Sequence, residues 1–263
     1  MSDKILIVNI NLFKYYQFDN YYFQINLYFF FIFVKYKAMK KTKQNNIKKY
    51  GGLYAGQRVD IRRKKLIQAG LESFGTLGYT KTTIKAICKI SGLTERYFYE
   101  SFKNKEELLG YVYQTIVDEI TENAMNYLIK PSLKPKEIIE GAFGEYLGAL
   151  WKDQRRARVL YFEVLGVSPE IDKKYRSAQD RMVDLVSFLI SKIRPEIKRE
   201  SLNATIIPTG LAGAIIFMAE RWVLDNYKTP LDDIVRQAVI IFESFEKLLK
   251  IETDLLDKLH DSN

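Results

Sequence analysis

The sequence predicts an all-α protein, and three observations carry that prediction. Apolar residues recur at spacings of three and four over most of positions 58 to 250, which is the period of a helix and not of a strand. Only 14 glycines and 6 prolines interrupt the 263 residues, so long segments run without a breaker. Several of those breakers, among them Gly75, Gly78, Gly92, Pro131 and Pro135, fall where an amphipathic run ends. With 47% hydrophobic and 28% charged residues, the chain can bury one sizeable core or two modest ones.

The residue inventory excludes several chemistries. A single cysteine, Cys88, rules out an intramolecular disulfide framework, and a single histidine, His260, sits in a polar C-terminal stretch far from any cluster. Zinc-site spacings, a phosphate-cradling glycine loop and a histidine-based nucleophile system are all missing, so no metal, cofactor or enzymatic activity is expected. The net charge of +9 is unevenly spread. Residues 1–57 hold nine basic and two acidic side chains, residues 58–105 eleven and four, and residues 106–263 hold 21 and 26. The basicity therefore belongs to the N-terminal part, as a surface for nucleic acid or an anionic membrane requires.

Taken in order, residues 1–38 differ from everything that follows, since 26 of them are Phe, Tyr, Ile, Asn or Lys. All five can be written in A/T-only codons, which reads as an early start in an A/T-rich gene, with Met39 opening the protein. A membrane anchor is the other reading. Its unbroken apolar run, Leu27 to Val34, is far shorter than the roughly 20 residues of a spanning helix. Residues 39–57, with five lysines and no apolar period, read as a flexible basic arm.

The segment from Arg58 carries Ile61, Leu66, Ala69, Leu71 and Phe74 at helical spacing, with Gly75 and Gly78 as its stop. Its first turns hold Arg58, Arg62, Arg63, Lys64 and Lys65, against the helix dipole, which suggests an external anion. Thr82 or Thr83 then caps a short helix with Ile84, Ile87, Cys88 and Leu93 as its apolar stripe. Ser91-Gly92 breaks it, Thr94 caps "ERYFYESF", and Asn104 with Glu107 starts the next helix. Two helices of about eight residues around a glycine-containing turn are the outline of a helix-turn-helix. In the second, Phe98 and Phe102 lie four apart and point inward. Thr94, Glu95, Arg96 and Tyr97 would then lie nearest to bases, with Arg96 able to bond guanine O6 and N7 together. Tyr99, Lys103 and Lys105 suit phosphates, while Glu100 either accepts from cytosine N4 or turns away.

From Arg63 to Leu109, "FGTLGYTKTTIKAICKISGLTERYFYESFKNKEELL" closely resembles the DNA-binding domain of the tetracycline-repressor-like (TetR/AcrR) family of bacterial transcription regulators. The resemblance rests on some ten positions at fixed spacing: Phe, Gly-Tyr, Thr-Thr, Ile, a Gly-Leu turn, Tyr-x-x-Phe and Lys-x-Glu-x-Leu. It implies an N-terminal three-helix DNA-binding domain and a larger helical domain for effector binding and dimerisation, about nine helices in all. By position, it implies phosphate contact by Thr82 or Thr83 and by Lys105, and base reading by Thr94, Glu95, Arg96, Tyr97, Tyr99, Glu100 and Ser101.

Beyond this module, Leu108, Val112, Ile116, Ile120, Ala124 and Leu128 repeat every four residues along one long helix that Pro131 and Pro135 end. "PKEIIEGAFGEYLGALWKD" follows with a broad aromatic face and with Gly141, Gly144 and Gly148 open to a close neighbour. Phe143, Tyr146, Leu147, Trp151, Tyr161 and Trp222 are the candidate lining of an effector pocket, against the plainer reading that they are core. Glu163 is a candidate buried charge or the partner of Arg155 or Arg158. Ser168-Pro169 opens a helix to about Arg194. The last two helices place Gly210, Gly213, Ala214 and Phe217 on one stripe and Ile234, Ala238, Ile241 and Phe245 on a near-heptad seam. Such a pair forms a four-helix bundle across a two-fold axis, unless it packs within the subunit.

The domain boundaries expected are thus 1–38, 39–57, 58–106, 107–250 and a polar tail 251–263. The function expected is a cytoplasmic, homodimeric regulator that binds a palindromic operator in double-stranded DNA and is released, as a repressor, by a small-molecule effector. The alternative is a membrane-associated scaffold held by the N-terminal aromatic segment.

Overall fold

The computed structural model describes residues 49–50, 53–130, 133–194 and 206–260. The N-terminal aromatic segment and most of the basic arm lie outside these residues. The chain divides into two units, Met1–Arg58 and Val59–Asn263. In the first, β1 (Lys49–Tyr50) pairs antiparallel with β2 (Leu53–Tyr54), Lys49 opposite Tyr54 and Tyr50 opposite Leu53. This short pair stands where the sequence suggests only a flexible arm. Two strands separated by Gly51-Gly52 carry a hairpin spacing that a helix-period search passes over.

Everything else among the described residues is helical: α1 (Ala55–Leu77), α2 (Ile84–Ser91), α3 (Glu95–Ser101), α4 (Lys105–Leu128), α5 (Pro135–Lys152), α6 (Gln154–Arg158), a π-helical turn Val159–Glu163, α7 (Pro169–Ile193), α8 (Ile206–Leu224) and α9 (Leu231–His260). The stop of α1 is Gly78 alone, whose φ of +89° a side chain would strain. Gly75 instead lies inside the helix, where a Cβ would collide with Arg155, so it serves packing and not termination. Ile61, expected inward, is 42% exposed because the buried stripe of α1 begins only at Leu66.

Gly92, with φ +66°, closes α2 as the left-handed cap, and the Leu93 N–H reaches back to Cys88 O at 3.1 Å. Asn104 caps α4 by accepting from the Glu107 N–H at 2.8 Å, and Ser168 caps α7 by accepting from the Ile171 N–H at 3.3 Å. The backbone of α9 stays helical to His260, ten residues into the expected tail.

Helix α4 is the spine. Leu108, Leu109, Val112, Ile116, Ile120, Ala124 and Leu128 are all buried along its inner face, against α5 on one side and α7 on the other. Helix α9 covers α5, with Phe242 against Phe143 at 6.0 Å between ring centroids, and α8 packs on α7. Of the three glycines of α5, only Gly141 admits a close neighbour: a Cβ there would strike the Tyr127 ring, while Gly144 and Gly148 face no atom that near. Among the described residues, α8 is long and apolar enough to cross a membrane by length and composition, and it is one layer of this helical domain.

Candidate nucleic-acid interface and apolar cavity

Helix α3 is held by its inner face. Phe98 and Phe102 are 0% and 1% exposed, their rings 6.0 Å apart. Arg63 of α1 closes the far end: its guanidinium lies over the Phe102 and Tyr111 rings at 4.5 and 4.1 Å and donates to Ser101 O at 2.7 Å. Arg62 lies over the Tyr97 ring at 4.4 Å and is within 3.8 Å of Glu100. These two arginines are therefore used inside the module, and among the helix-one basic residues Arg58, Lys64 and Lys65 are left on the surface.

What α3 presents outward is Thr94, Glu95, Arg96 and Tyr99. The Thr94 side chain makes no capping bond. Tyr99 is 57% exposed and braced edge-on against Phe98. The Arg96 side chain is 84% exposed and bonded to Glu100 at 3.1 Å. Glu100, itself exposed, thus bridges Arg62 and Arg96, and its charge offsets the two cations. Tyr97 lies half-buried beneath Arg62, and the Ser101 hydroxyl donates to Tyr97 O at 2.9 Å, so both serve the helix itself.

Two expected phosphate contacts take other roles. Thr82 is 2% exposed and its hydroxyl bonds Gly78 O at 2.7 Å and Ser73 O at 3.1 Å, which fixes the α1–α2 turn and removes it from any DNA surface. Thr83, exposed, is the cap of α2 and accepts from the Ala86 N–H at 3.2 Å. The Lys105 ammonium donates to Tyr79 O at 2.7 Å and Thr82 O at 2.9 Å and sits over the Tyr79 ring at 4.2 Å; its burial lowers its pKa from the ordinary lysine value. It clamps the same turn. Lys103 remains exposed beside it. Sequence reasoning passed over Lys81, Lys85 and Lys89, exposed at four-residue spacing, the first in the turn before α2 and the other two on α2. Their period was the available signal.

Lys105→Met is expected to leave two carbonyls without their donor, lowering stability by about 1–3 kcal/mol. It should weaken operator and random DNA by the same factor. A loss confined to operator DNA would show that Lys105 acts on bases instead.

The larger domain holds an apolar cavity of about 60 Å³ between α4, α7 and the π-helical turn, lined by Tyr113, Val117, Tyr146, Tyr161, Tyr175 and Gln179 among others. A second of about 40 Å³ lies between α4, α5 and α7 and includes Phe143, Leu128 and Leu189. Both share Ile120, Tyr146, Met182 and Leu185, so they are two ends of one seam. No charged side chain lines either. The Tyr146 and Tyr161 hydroxyls bond each other within it. Burial pushes the Tyr146 hydroxyl up to about 12 and the Tyr161 hydroxyl well above its ordinary value, so both remain protonated near neutrality. Two hydroxyls have two protons and their mutual bond uses one, which leaves one donor for an acceptor atom in the cavity.

Of the expected lining residues, Phe143, Tyr146 and Tyr161 face the seam. Leu147 is fully buried core, and Trp151 and Trp222 lie elsewhere. These two indoles stack at 5.9 Å, each edge-on to Tyr227, which has the rare φ of +55° directly after Asn226 at +54°. The Trp222 indole N–H donates to Thr229 O at 2.7 Å. Their task is to hold the left-handed turn between α8 and α9, a contact between distant residues that helical spacing cannot reveal. Tyr113, Tyr175, Met182 and Leu185 were missed as liners because their periodicity is that of ordinary core.

On the expected interface stripe, Gly210, Gly213 and Phe217 are exposed and Ala214 is half-buried. Ile234 and Ala238, at 7% and 0% exposure, are covered within the subunit, which corrects their assignment to a surface seam; Ile241 and Phe245 are half-buried.

Comparison with known proteins agrees with this geometry. The profile of bacterial regulatory proteins of the tetR family matches residues 66–112. The chain is 30% identical over 150 residues to the uncharacterized HTH-type transcriptional regulator YhgD of Bacillus subtilis, covering 55% of this chain and 74% of that one. It is 22% identical over 168 residues to the fatty acid metabolism regulator protein of the same organism, covering 64% and 86%. The crystal structure of the regulator FadR from Bacillus subtilis in complex with stearoyl-CoA superposes with a TM-score of 0.61 at 20% identity, over 68% of this chain and 96% of that one. An exposed, internally braced helix and a separate apolar cavity are joined on one helical frame, and the chain belongs to the TetR family of bacterial regulatory proteins as a DNA-binding transcriptional regulator.

Proposed function

We propose that the protein is a cytoplasmic homodimeric repressor that reads a palindromic operator through α3 and is released by an apolar small molecule in the α4–α5–α7 seam. The observation that carries this reading is the division of α3: Phe98 and the following Phe102 are locked to the module, while Thr94, Glu95 and Arg96 are exposed at the end that enters a major groove first and Tyr99 is exposed one turn on. A dimer is supported by the stripe Ile206, Gly210, Gly213, Phe217 and Leu224 of α8, whose three large apolar members are 65%, 64% and 50% exposed in the single subunit. Two-fold pairing through such a face gives two recognition helices for half-sites about 34–36 Å apart or a multiple.

The seam supports the effector's class. Its lining is uncharged, and from Tyr113 to Leu128 it runs fifteen residues along α4, about 22 Å at helical rise. That suits an extended hydrocarbon chain with one acceptor oxygen at the Tyr146–Tyr161 pair, and a structural neighbour holds stearoyl-CoA.

The test is fluorescence anisotropy on DNA upstream of the gene and on scrambled DNA over a salt series, with stearoyl-CoA as the first effector probe. Sequence-selective binding, a steep salt slope, two protomers per half-site pair and weakening by the probe are expected. By linkage, DNA must weaken probe binding by the same factor. Equal, weak binding to every DNA, including fragments selected from the whole genome, would overturn the reading.

A further inference from the structure

We infer that Glu163 is the positioning residue through which the cavity sets the α1–α2 turn, and with it the DNA-binding helices. This rests on the reading of the seam as the effector site.

Glu163 ties the π-helical turn to the α1–α2 turn. One carboxylate oxygen accepts the Tyr79 backbone N–H at 2.6 Å; the other accepts from Arg158 Nε at 2.8 Å. Arg158 in turn donates through Nη1 to Thr76 O at 2.7 Å. Beside this pair, Arg155 joins Glu72 of α1 to Asp153. The carboxylate is seated flush on Gly78: a Cβ there would lie 3.1 and 3.2 Å from its oxygens. The carbonyl of the same Tyr79 residue is held by Lys105 at the start of α4. The turn that begins the helix-turn-helix is thus gripped from the larger domain on one side and from α4 on the other.

Two residues before Glu163, in the same π-helical turn, Tyr161 fills the cavity wall with its hydroxyl on Tyr146. The cavities of about 60 and 40 Å³ are far below the roughly 300–1,000 Å³ that ligand pockets occupy. An entering chain must therefore move the lining. Helix α4 is packed on two sides, whereas the π turn is a five-residue segment with a surplus residue in its ladder. Letting it relax to α geometry slides its two flanks by about one residue, roughly 1.5 Å and 100°. Tyr161 and Glu163 cannot both keep their places through that slide. Displacing Tyr161 withdraws the carboxylate from Tyr79, and the turn, freed of one grip, no longer holds α2 and α3 at the spacing that two half-sites require.

The test reads the Tyr79 amide by hydrogen exchange in the full-length protein, so neither operator nor effector need be known. Glu163→Ala should speed that exchange at least tenfold, and Glu163→Gln, which keeps an acceptor but loses the ion pair, by less. Met182→Trp, which fills the seam from α7 without touching the turn, should also speed it at least tenfold. Ala178→Leu, a milder filling, should do so in part if the tryptophan variant fails to fold. Adding either filling to Glu163→Ala should bring no further increase. Unchanged Tyr79 exchange in a folded filling variant overturns the inference, and so does an effect that persists undiminished in the Glu163→Ala background. If the fillings act on Tyr79 while stearoyl-CoA and other acyl chains leave DNA binding unmoved, the coupling stands and the effector assignment falls.

Discussion

Arg96→Ala is expected to lose about 1–3 kcal/mol of affinity for the operator, roughly 5- to 150-fold, and little for random DNA. The reason lies in how the free protein stores this side chain. It stands 84% exposed with Glu100 as its surface partner, and a pair of that kind is worth about 0.2–1 kcal/mol, so exchange onto a guanine edge is cheap. Anisotropy on operator and scrambled duplexes separates the outcomes. A fall in the ratio of the two affinities supports base reading, whereas equal losses on both would assign Arg96 to the phosphates. Because the alanine variant leaves Glu100 paired only with Arg62, the unfolding midpoint should hardly move.

Phe98→Ala should instead act through stability, at a cost of about 3–5 kcal/mol. The ring is fully buried, touches Phe102 and Tyr99 edge to face or tilted, and is the one buried residue within the seven-residue α3. A helix that short has no independent stability, so its persistence depends on the tertiary anchor. Thermal unfolding followed together with hydrogen exchange of residues 95–101 is the measurement. Early loss of protection in α3, with binding lost on all DNA alike, is the expected result. A variant that keeps both its midpoint and its operator selectivity would show that α3 is held by Arg63 and Phe102 alone.

The two variants mark the two ways in which this module was legible. The inward pair Phe98 and Phe102 could be read from a four-residue spacing, because a helix puts such residues on one face whatever surrounds it. The caps at Asn104 and Ser168 and the break at Gly92 were readable for the same reason: each satisfies or relieves backbone groups within four residues. Lys105, Thr82 and Arg63 were not readable in this way. Each looks like a surface donor in the sequence, and each is turned into a structural clamp by partners outside its own helical turn: Thr82 by Ser73 O nine positions back, Lys105 by carbonyls 23 and 26 positions back, and Arg63 by Ser101 O 38 positions on. The lesson for Lys105 is that a cation expected on phosphate can be consumed by the turn it stabilises.

The apolar seam divides along the same line. Its existence between helices with apolar faces could be anticipated, and Tyr146 and Tyr161 were found because polar-tipped aromatics at inward positions need partners. Trp151 and Trp222 were assigned to it wrongly, since nothing in their spacing distinguishes a cavity wall from the backing of a left-handed turn at Tyr227. Ile234 and Ala238 show the converse error, being apolar at the right period for a partner subunit yet taken up by the subunit's own core.

Local chemistry, then, settles from the residues alone that the chain is helical, where most helices begin and stop, and that a basic helix-turn-helix precedes a larger helical domain. Those properties depend on periodicity, capping and composition, which act over a few residues. Which arginine stays exposed and which are stacked on rings, which tyrosines face the cavity, and how Glu163 grips the Tyr79 amide depend on long-range packing, where identical side chains take opposite roles according to the partner that folding places beside them.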